Sequence, residues 1–272
     1  MLVQFSFEMK TSLIITTYNR PDALALVLKS VLNQTVLPDE IVIGDDGSTD
    51  DTRMLIEKYK ARFNVPVKHI WHEDNGFRVA KVRNQCIENA TNEYIISIDG
   101  DIVMHKDYIK SHLFFAESNI FLQGHRAMLG KRLTEKAITQ GLTNFSFLQN
   151  DIKNRKNTIH NLFFAKLLSK KSTDMEGIMG GIMSFWKQDA IDINGYNEDF
   201  EGWGKEDSEF GIRLLNLGVK RRDLRFCAVA YHLDHGKNSK LLHRDKYERN
   251  LSIMQNSIDK KLTKCKNGII KL

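Results

Sequence analysis

Asp99 and Asp101 stand on either side of Gly100 at the end of the apolar run Tyr94, Ile95, Ile96, Ser97 and Ile98. Carboxylates this close repel one another unless a cation or hydrogen bonds compensate them. Hard oxygen ligands at a strand end suit Mg2+ or Mn2+, with substrate phosphates and water completing the shell. An Asp-x-Asp is also an ordinary turn, since turns are rich in Asp and Gly. The neighbouring loops weigh against a turn alone. Asp45 and Asp46 open DDGSTD after a second apolar run, so one acidic loop can hold a base or ribose and the other a metal-bound diphosphate. A nucleotide is the simplest ligand with both ends. Lys81 and Arg83, early in a helical pattern after NGF, are placed to offset phosphate charge, although Arg83 can equally pair with the same aspartates.

A second acidic group lies in the other half of the chain. In EGWGKEDSEF, Gly202 and Gly204 free the backbone around Trp203, and Glu206 and Asp207 fall where a helix should start. A flat ring beside carboxylates binds sugars, the ring covering an apolar face and the acids taking hydroxyls. A carboxylate near a bound hydroxyl also serves as a general base. The competing reading is a core tryptophan with acids that only complement a helix beginning near Ser208. His232 ends RFCAVAYH, and His235 follows three residues later. They are either satisfied structural groups or further metal ligands, and imidazole favours Mn2+ over Mg2+.

These groups need a scaffold that gathers them. Strand patterns at 12–17, 40–44, 66–71 and 94–98 alternate with three helical patterns. The first opens at Pro21 and carries Leu24, Val27, Leu28 and Val31; the second, capped by Ser48 or Asp50, carries Met54, Leu55 and Tyr59; the third covers about 78–90. Repeated βαβ units predict a parallel sheet with right-handed crossovers. Ligands of such sheets gather beyond the carboxyl ends of the strands. Thr16 to Asn19, Asp45 with Asp46, and Asp99 with Asp101 all fall at those ends. Further along, 106–117 reads as a helix, IFLQG as a strand, and Gly130 to Lys171 as a mobile loop or small helical insertion. NGYNEDF reads as a helix-capping segment and Phe226 to His232 as a strand. There is no internal repeat and no Pro-rich linker.

The 272 residues, 42% of them hydrophobic, suffice for a substantial core. No apolar run approaches the roughly 18 residues of a membrane span. MLVQFSFEMK lacks the zones of a secretory signal, so a cytoplasmic chain is expected. Cys86, Cys227 and Cys265 are too scattered for a disulfide framework or a zinc site. The net charge of +6 concentrates in Lys220, Arg221, Arg222 and Arg225 and in the tail from Lys237 onward. Such faces are either solvated surface or attract anionic lipid or a phosphorylated substrate. Aromatic-basic interleaving and zinc-finger spacing are missing, so no nucleic-acid partner is expected.

SLIITTYNRP, EIVIGDDGSTDDT, NGFRVAKVRNQCIENA, YIISIDGD and GGIMSFWK together resemble the family 2 inverting glycosyltransferases that use nucleotide-diphospho-sugars. GYNEDFEGWGKEDSEFGIRLLNLG with AYHLDH is similar to the galactosyltransferase-type C-terminal region of bacterial chondroitin polymerase domains and of animal β-1,4-galactosyltransferases. The likeness covers about 10–120 and 175–236. It implies an α/β chain of the GT-A type, with a Rossmann-like, mostly parallel central sheet flanked by helices. One GT-A domain would fill 1–272, with a nucleotide-binding half at 10–120, a variable insertion at 121–175, an acceptor and catalytic half at 176–236 and a basic tail at 237–272.

The resemblance also assigns residues. Thr16, Tyr18 and Asp46 would hold uridine, with Arg20 and Arg83 nearby; Asp99, beside Gly100, would bond the ribose side. Asp101 would ligate Mn2+ or Mg2+ together with His232. Gly180 and Gly181 would admit the donor sugar, and Trp203 would line the acceptor site. Asp207, or else Glu206, would be the catalytic base. Ile182 stands where the family has a polar residue after the glycine pair, which leaves the donor sugar undefined. The implied reaction moves a hexose or N-acetylhexosamine from a UDP-sugar to a saccharide or glycolipid acceptor, in bacterial surface polysaccharide or lipopolysaccharide synthesis. Residues 130–171 would recognise the acceptor or close as a lid, and the basic tail would touch the anionic cytoplasmic face of the inner membrane. The alternatives are a nucleotidyltransferase, which needs a Gly-rich basic loop where TTYNRP stands, and a catalytically silent carbohydrate-binding protein, which would tolerate loss of the acids.

Overall fold

The computed structural model describes residues 9–236 and 244–272. Its first half runs β1 (Thr11–Thr17), α1 (Pro21–Leu32), β2 (Glu40–Asp45), α2 (Asp50–Lys60), β3 (Val67–Trp71), α3 (Val79–Asn89) and β4 (Tyr94–Asp99). β1 pairs in parallel with β2 and β4, and β2 pairs in parallel with β3. β1 is buried along its whole length, and its side chains alternate between two cores. Leu13 and Ile15 join Leu24, Val27 and Leu28 of α1, while Ile14 joins Ala80, Cys86 and Ile87 of α3. A slip of one residue would exchange the two sets, so burial on both faces sets the register.

The register aligns the polar strand ends. Thr16 lies opposite both Gly44 and Asp99, and Thr17 opposite Asp45. α2 begins with Thr49 at its N-cap and no capping side-chain bond, so neither Ser48 nor Asp50 plays the expected part. Ser48 instead accepts the Asn19 N–H at 2.8 Å, tying the loop after β1 to the loop after β2.

The second half supplies β5 (Ile102–Met104), α4 (Tyr108–Phe115), β6 (Ile120–Gln123), β7 (His125–Leu129), α5 (Lys131–Gln140), β8 (Ile152–Lys153), a 3-10 turn (Arg155–Thr158), α6 (Leu162–Leu168) and β9 (Lys171–Ser172). It closes with β10 (Ile182–Trp186), α7 (Lys187–Asp192), α8 (Glu206–Leu217), β11 (Lys220–Asp223), β12 (Val229–His232) and α9 (Arg244–Asp259). The main sheet has the order β3-β2-β1-β4-β10-β6-β11-β9, and a smaller one the order β5-β12-β7-β8. β10 is antiparallel to both β4 and β6. The first core continues into the smaller sheet through Val103, Ala127 and Tyr231.

The structure sharpens three readings. The stretch 130–171 is a small helical insertion rather than a bare loop, and 120–129 belongs to the sheets as β6 and β7, so the added elements begin only at α5. The strand read at 226–232 starts at Val229, because Phe226 (φ 57°) and Ala228 (φ 47°) adopt left-handed backbone that no strand accommodates. NGYNEDF closes the helix before it: Gly195 N–H bonds Ala190 O at 2.7 Å behind α7. The basic tail residues Lys237 and Lys240, the side chain of Arg244, and most of MLVQFSFEMK lie outside the described residues. No helix among the described residues is long and apolar enough to cross a membrane.

Candidate active site

β4 carries Asp99 to the edge where β1 ends. Thr16 Oγ1 donates to Asp99 Oδ1 at 3.2 Å, and Gly100 N–H donates to Thr16 O at 2.6 Å. Beyond this point Asp99 meets a cation from another element. Arg83 of α3 is buried; it donates from Nη2 to Asp99 at 2.9 Å, and from Nη1 to Glu206 at 3.0 Å and to Asp207. Its guanidinium lies 5.2 Å from the Tyr196 ring, and the side-chain amide of Asn84, the next residue of α3, donates to Tyr196 O and accepts the Tyr196 N–H. Arg83 is therefore placed on the acids rather than free towards a phosphate.

Glu206 and Asp207 open α8, preceded by Lys205 in left-handed conformation (φ 79°). A lysine gains nothing there sterically, so the helix start is held by its surroundings. Ser208 Oγ donates to Ile178 O at 3.0 Å. Deeper in α8, Arg213 pairs with Glu209 and donates to Ile193 O and Gly195 O, all within the core. A Cβ on Gly180 would fall on the Asp207 carboxylate, and one on Gly181 (φ 73°) on that of Asp99. The glycine pair thus admits two carboxylates to the sheet edge.

The electrostatics follow the burial. Burial pushes the Asp207 carboxyl well above the usual range; Arg83 opposes the shift, while Glu206 and Asp99 reinforce it. Burial alone would raise Asp99 as well, but Arg83 and Arg126 outweigh it and hold this carboxyl low. Of the two candidate bases, the Asp207 side chain is 18% exposed and that of Glu206 8%.

Asp101 enters different surroundings. His232 Nε2 lies 3.5 Å from Asp101 Oδ2, and Asp101, His232 and His235 each offer a ligand atom within 4.8 Å of the others. Burial raises the Asp101 carboxyl and lowers the His232 imidazole, each against the influence of its partner. Asp101 Oδ1 and His232 Nδ1 are buried without hydrogen-bond partners. A carboxyl group and two imidazoles gathered this closely suit a divalent cation of the Mn2+ type.

Around the loop after β2, Asp46 accepts Arg78 N–H at 2.9 Å, lies 3.0 Å from His72 Nε2, and is raised by burial to about 6. Tyr18 is 45% exposed and donates to Asp74 at 2.8 Å. Arg20 stands 3.9 Å from Asp22 and keeps a buried Nη1 without a partner. His72 and Asp74 were missed in the sequence. They follow β3, so the same rule of strand carboxyl ends would have found them.

Trp203 is 38% exposed and stacks on Tyr247 of α9 with ring centroids 5.8 Å apart. The buried Asn250, also on α9, donates to Glu201 O and Gly204 O at 3.0 Å each, clasping the loop on both sides of the tryptophan. Neither Tyr247 nor Asn250 was legible as a site residue, because nothing in the local pattern of α9 points to this loop.

Residues 12–174 match the family described as glycosyl transferase family 2, and residues 163–236 match the N-terminal domain of galactosyltransferase. The chain is 27% identical over 238 residues to a chondroitin synthase of Escherichia coli, covering 81% of this chain and 34% of that protein. It is 28% identical over 236 residues to a validoxylamine A glucosyltransferase of Streptomyces hygroscopicus subsp. limoneus, covering 76% of this chain and 48% of that one. The chain therefore spans half or less of these curated relatives. Among solved structures it resembles S. aureus TarS 1-349 in complex with UDP (TM-score 0.60, 19% identity, 92% of this chain and 65% of that one). It also resembles a mannosyltransferase from Pyrobaculum calidifontis in complex with GDP-Man and Mn2+ (TM-score 0.58, 16% identity, 93% and 64%).

Proposed function

Because the chain belongs to glycosyl transferase family 2, we propose that it transfers a hexose or N-acetylhexosamine from a UDP-sugar to a hydroxyl of a saccharide or glycolipid acceptor, with inversion and with a divalent metal. The fold is the α/β, GT-A arrangement, mostly parallel at its centre. One observation carries the reading: the Arg83 guanidinium joins Asp99 at the end of β4 to Asp207 at the start of α8, two residues from Asp101 with its histidines. A donor diphosphate and an acceptor base thereby share one edge.

In this reading Thr16, Tyr18, Arg20 and Asp46 hold the uridine, Asp99 and Gly100 the ribose side, and Gly180 and Gly181 admit the donor sugar, with Ile182 buried behind them. Asp101, His232 and His235 would hold Mn2+ or Mg2+, which when bound supplies positive charge against the departing diphosphate. Asp207 takes the proton of the acceptor hydroxyl as its oxygen attacks the anomeric carbon opposite the diphosphate. The new C–O bond forms as the bond to the diphosphate breaks, so a single displacement turns an α-linked donor into a β-glycoside. Arg83 aims Asp207 and opposes the burial that raises its carboxyl, and Glu206 shares the same guanidinium. Trp203, steadied by Tyr247 and Asn250, covers the acceptor ring. Residues 10–120 would form the donor half and 176–236 the acceptor half. Synthesis of a bacterial surface polysaccharide or lipopolysaccharide fits the relatives by name, and a peripheral contact with anionic membrane fits a lipid-linked acceptor.

The test is a donor screen: UDP release from a panel of UDP-sugars with Mn2+, with and without saccharide acceptors. Release that depends on one donor, on metal and on acceptor supports the reading. Indifference to every nucleotide-sugar and to metal overturns it.

A further inference from the structure

Helix α6, LFFAKLL, is built inside out. Its single buried residue is the small Ala165, while Phe163 is 72% and Leu167 65% exposed, with Phe164 and Leu168 exposed beside them. An ordinary surface helix turns its large apolar side chains to the core. Fraying does not explain the inversion, because the helix is pinned at both ends. Asn161 caps it by accepting the N–H groups of Phe163 and Phe164, and donates its own N–H to Phe226 O at 2.8 Å. At the far end, Arg225 N–H donates to Ser169 Oγ at 3.0 Å.

The charges carried by this segment are all positive. Residues 152–171 hold Lys153, Arg155, Lys156, Lys166, Lys170 and Lys171 and no Asp or Glu. All six cations are exposed, and among the described residues only Lys171 is in an ion pair, with Glu117 at 2.6 Å. Lys110 adds a further cation beside Leu162, and Asp107 is an acid in the same hollow. Two copies of such a face would bring five unpaired cations against five, which disfavours self-association. Exposed Phe and Leu flanked by Lys and Arg match an anionic bilayer surface, where the rings and branched chains enter the acyl boundary and the ammonium groups stay among the phosphates.

We infer that α6 with the basic segment 152–171 is a docking surface for an anionic lipid bilayer. This rests on the proposed reading and deepens its membrane contact, moving it from the tail to α6. The helix itself is tied to Phe226, before the start of β12, whereas His232 ends that strand.

The experiment is co-sedimentation with vesicles of phosphatidylcholine alone and of phosphatidylcholine mixed with phosphatidylglycerol. Binding is expected only with phosphatidylglycerol, weakening as salt rises. F163S/L167S should weaken it by roughly tenfold or more, and K153Q/K156Q/K170Q should weaken it and flatten its salt dependence. K260Q/K261Q/K264Q/K266Q, in the tail, should bind like the parent. The UDP dissociation constant of all these variants should match the parent, which keeps a failure of docking separate from a failure of the glycosyl-transfer reading. The inference is overturned if the parent stays in the supernatant, if F163S/L167S binds like the parent, if only the tail variant loses binding, or if sedimentation velocity shows a dimer that F163S/L167S dissolves.

Discussion

Asp99 and Asp101 leave the same strand end two residues apart, yet they enter opposite electrostatic surroundings. Asp99 joins Glu206 and Asp207 around the buried Arg83, so three carboxylates share a cation that the chain itself supplies. Asp101 faces His232 and His235, with a buried oxygen left unpaired and burial favouring neutral forms of both the acid and His232. The first group carries its own guanidinium, although Glu206 Oε2 and Arg83 Nε stay unpaired there; in the proposed reading the second would take an external cation. Spacing in the chain does not separate these cases. What separates them is which element arrives on each side: α3 and α8 at Asp99, β12 at Asp101.

The contrast can be broken experimentally at several points. Asp207→Asn should lower transfer by about 10²- to 10⁴-fold while leaving the UDP-sugar dissociation constant within a few-fold; collapse of donor binding would move Asp207 into the donor site. Asp101→Ala and His232→Ala should each weaken activation by Mn2+ by about 100-fold or more in a metal titration, whereas Asp99→Ala should leave the metal midpoint close to the parent. Equal midpoints for Asp99→Ala and Asp101→Ala would erase the distinction. Arg83→Lys keeps a charge but loses the fork that spans the acids. Asp207 acts as a base only when ionised; burial already raises it and Arg83 opposes that rise. Weakening the cation therefore raises it further, and the acidic limb of kcat should move up by roughly one pH unit. A limb that stays put would detach Arg83 from the base. Asn250→Ala removes two hydrogen bonds from the Trp203 loop, about 1–2 kcal/mol, and should raise the acceptor KM by several-fold with donor hydrolysis unchanged.

The half of the chain built from βαβ units was largely legible, because each element carries its own signal. Residues 11–17 alternate between two cores, Pro21 opens α1, and the polar groups sit where parallel strands end. Legibility dropped where contacts are long-range. RFCAVAYH reads as a strand throughout, yet only its last four residues pair, after a left-handed stretch. Between Gly130 and Lys171, α5 does carry a helical face in Leu133, Thr134 and Ala137, but the elements after it are short ones held by contacts to other segments, as α6 is by Arg225 and Phe226.

The sequence by itself determined the parallel sheet, the strand ends that carry Thr16, Asp46, Asp99 and Asp101, and the acids at the start of α8, since burial patterns and turn chemistry act over a few residues. Only the tertiary structure decided how those charges are shared. Arg83 lies 16 residues from Asp99 and 124 from Asp207, and Asn250 lies 46 residues from Gly204. No local period encodes such distances. They follow from the packing of α3, α8 and α9 beside one sheet, and a buried charge takes whichever partner that packing places within reach.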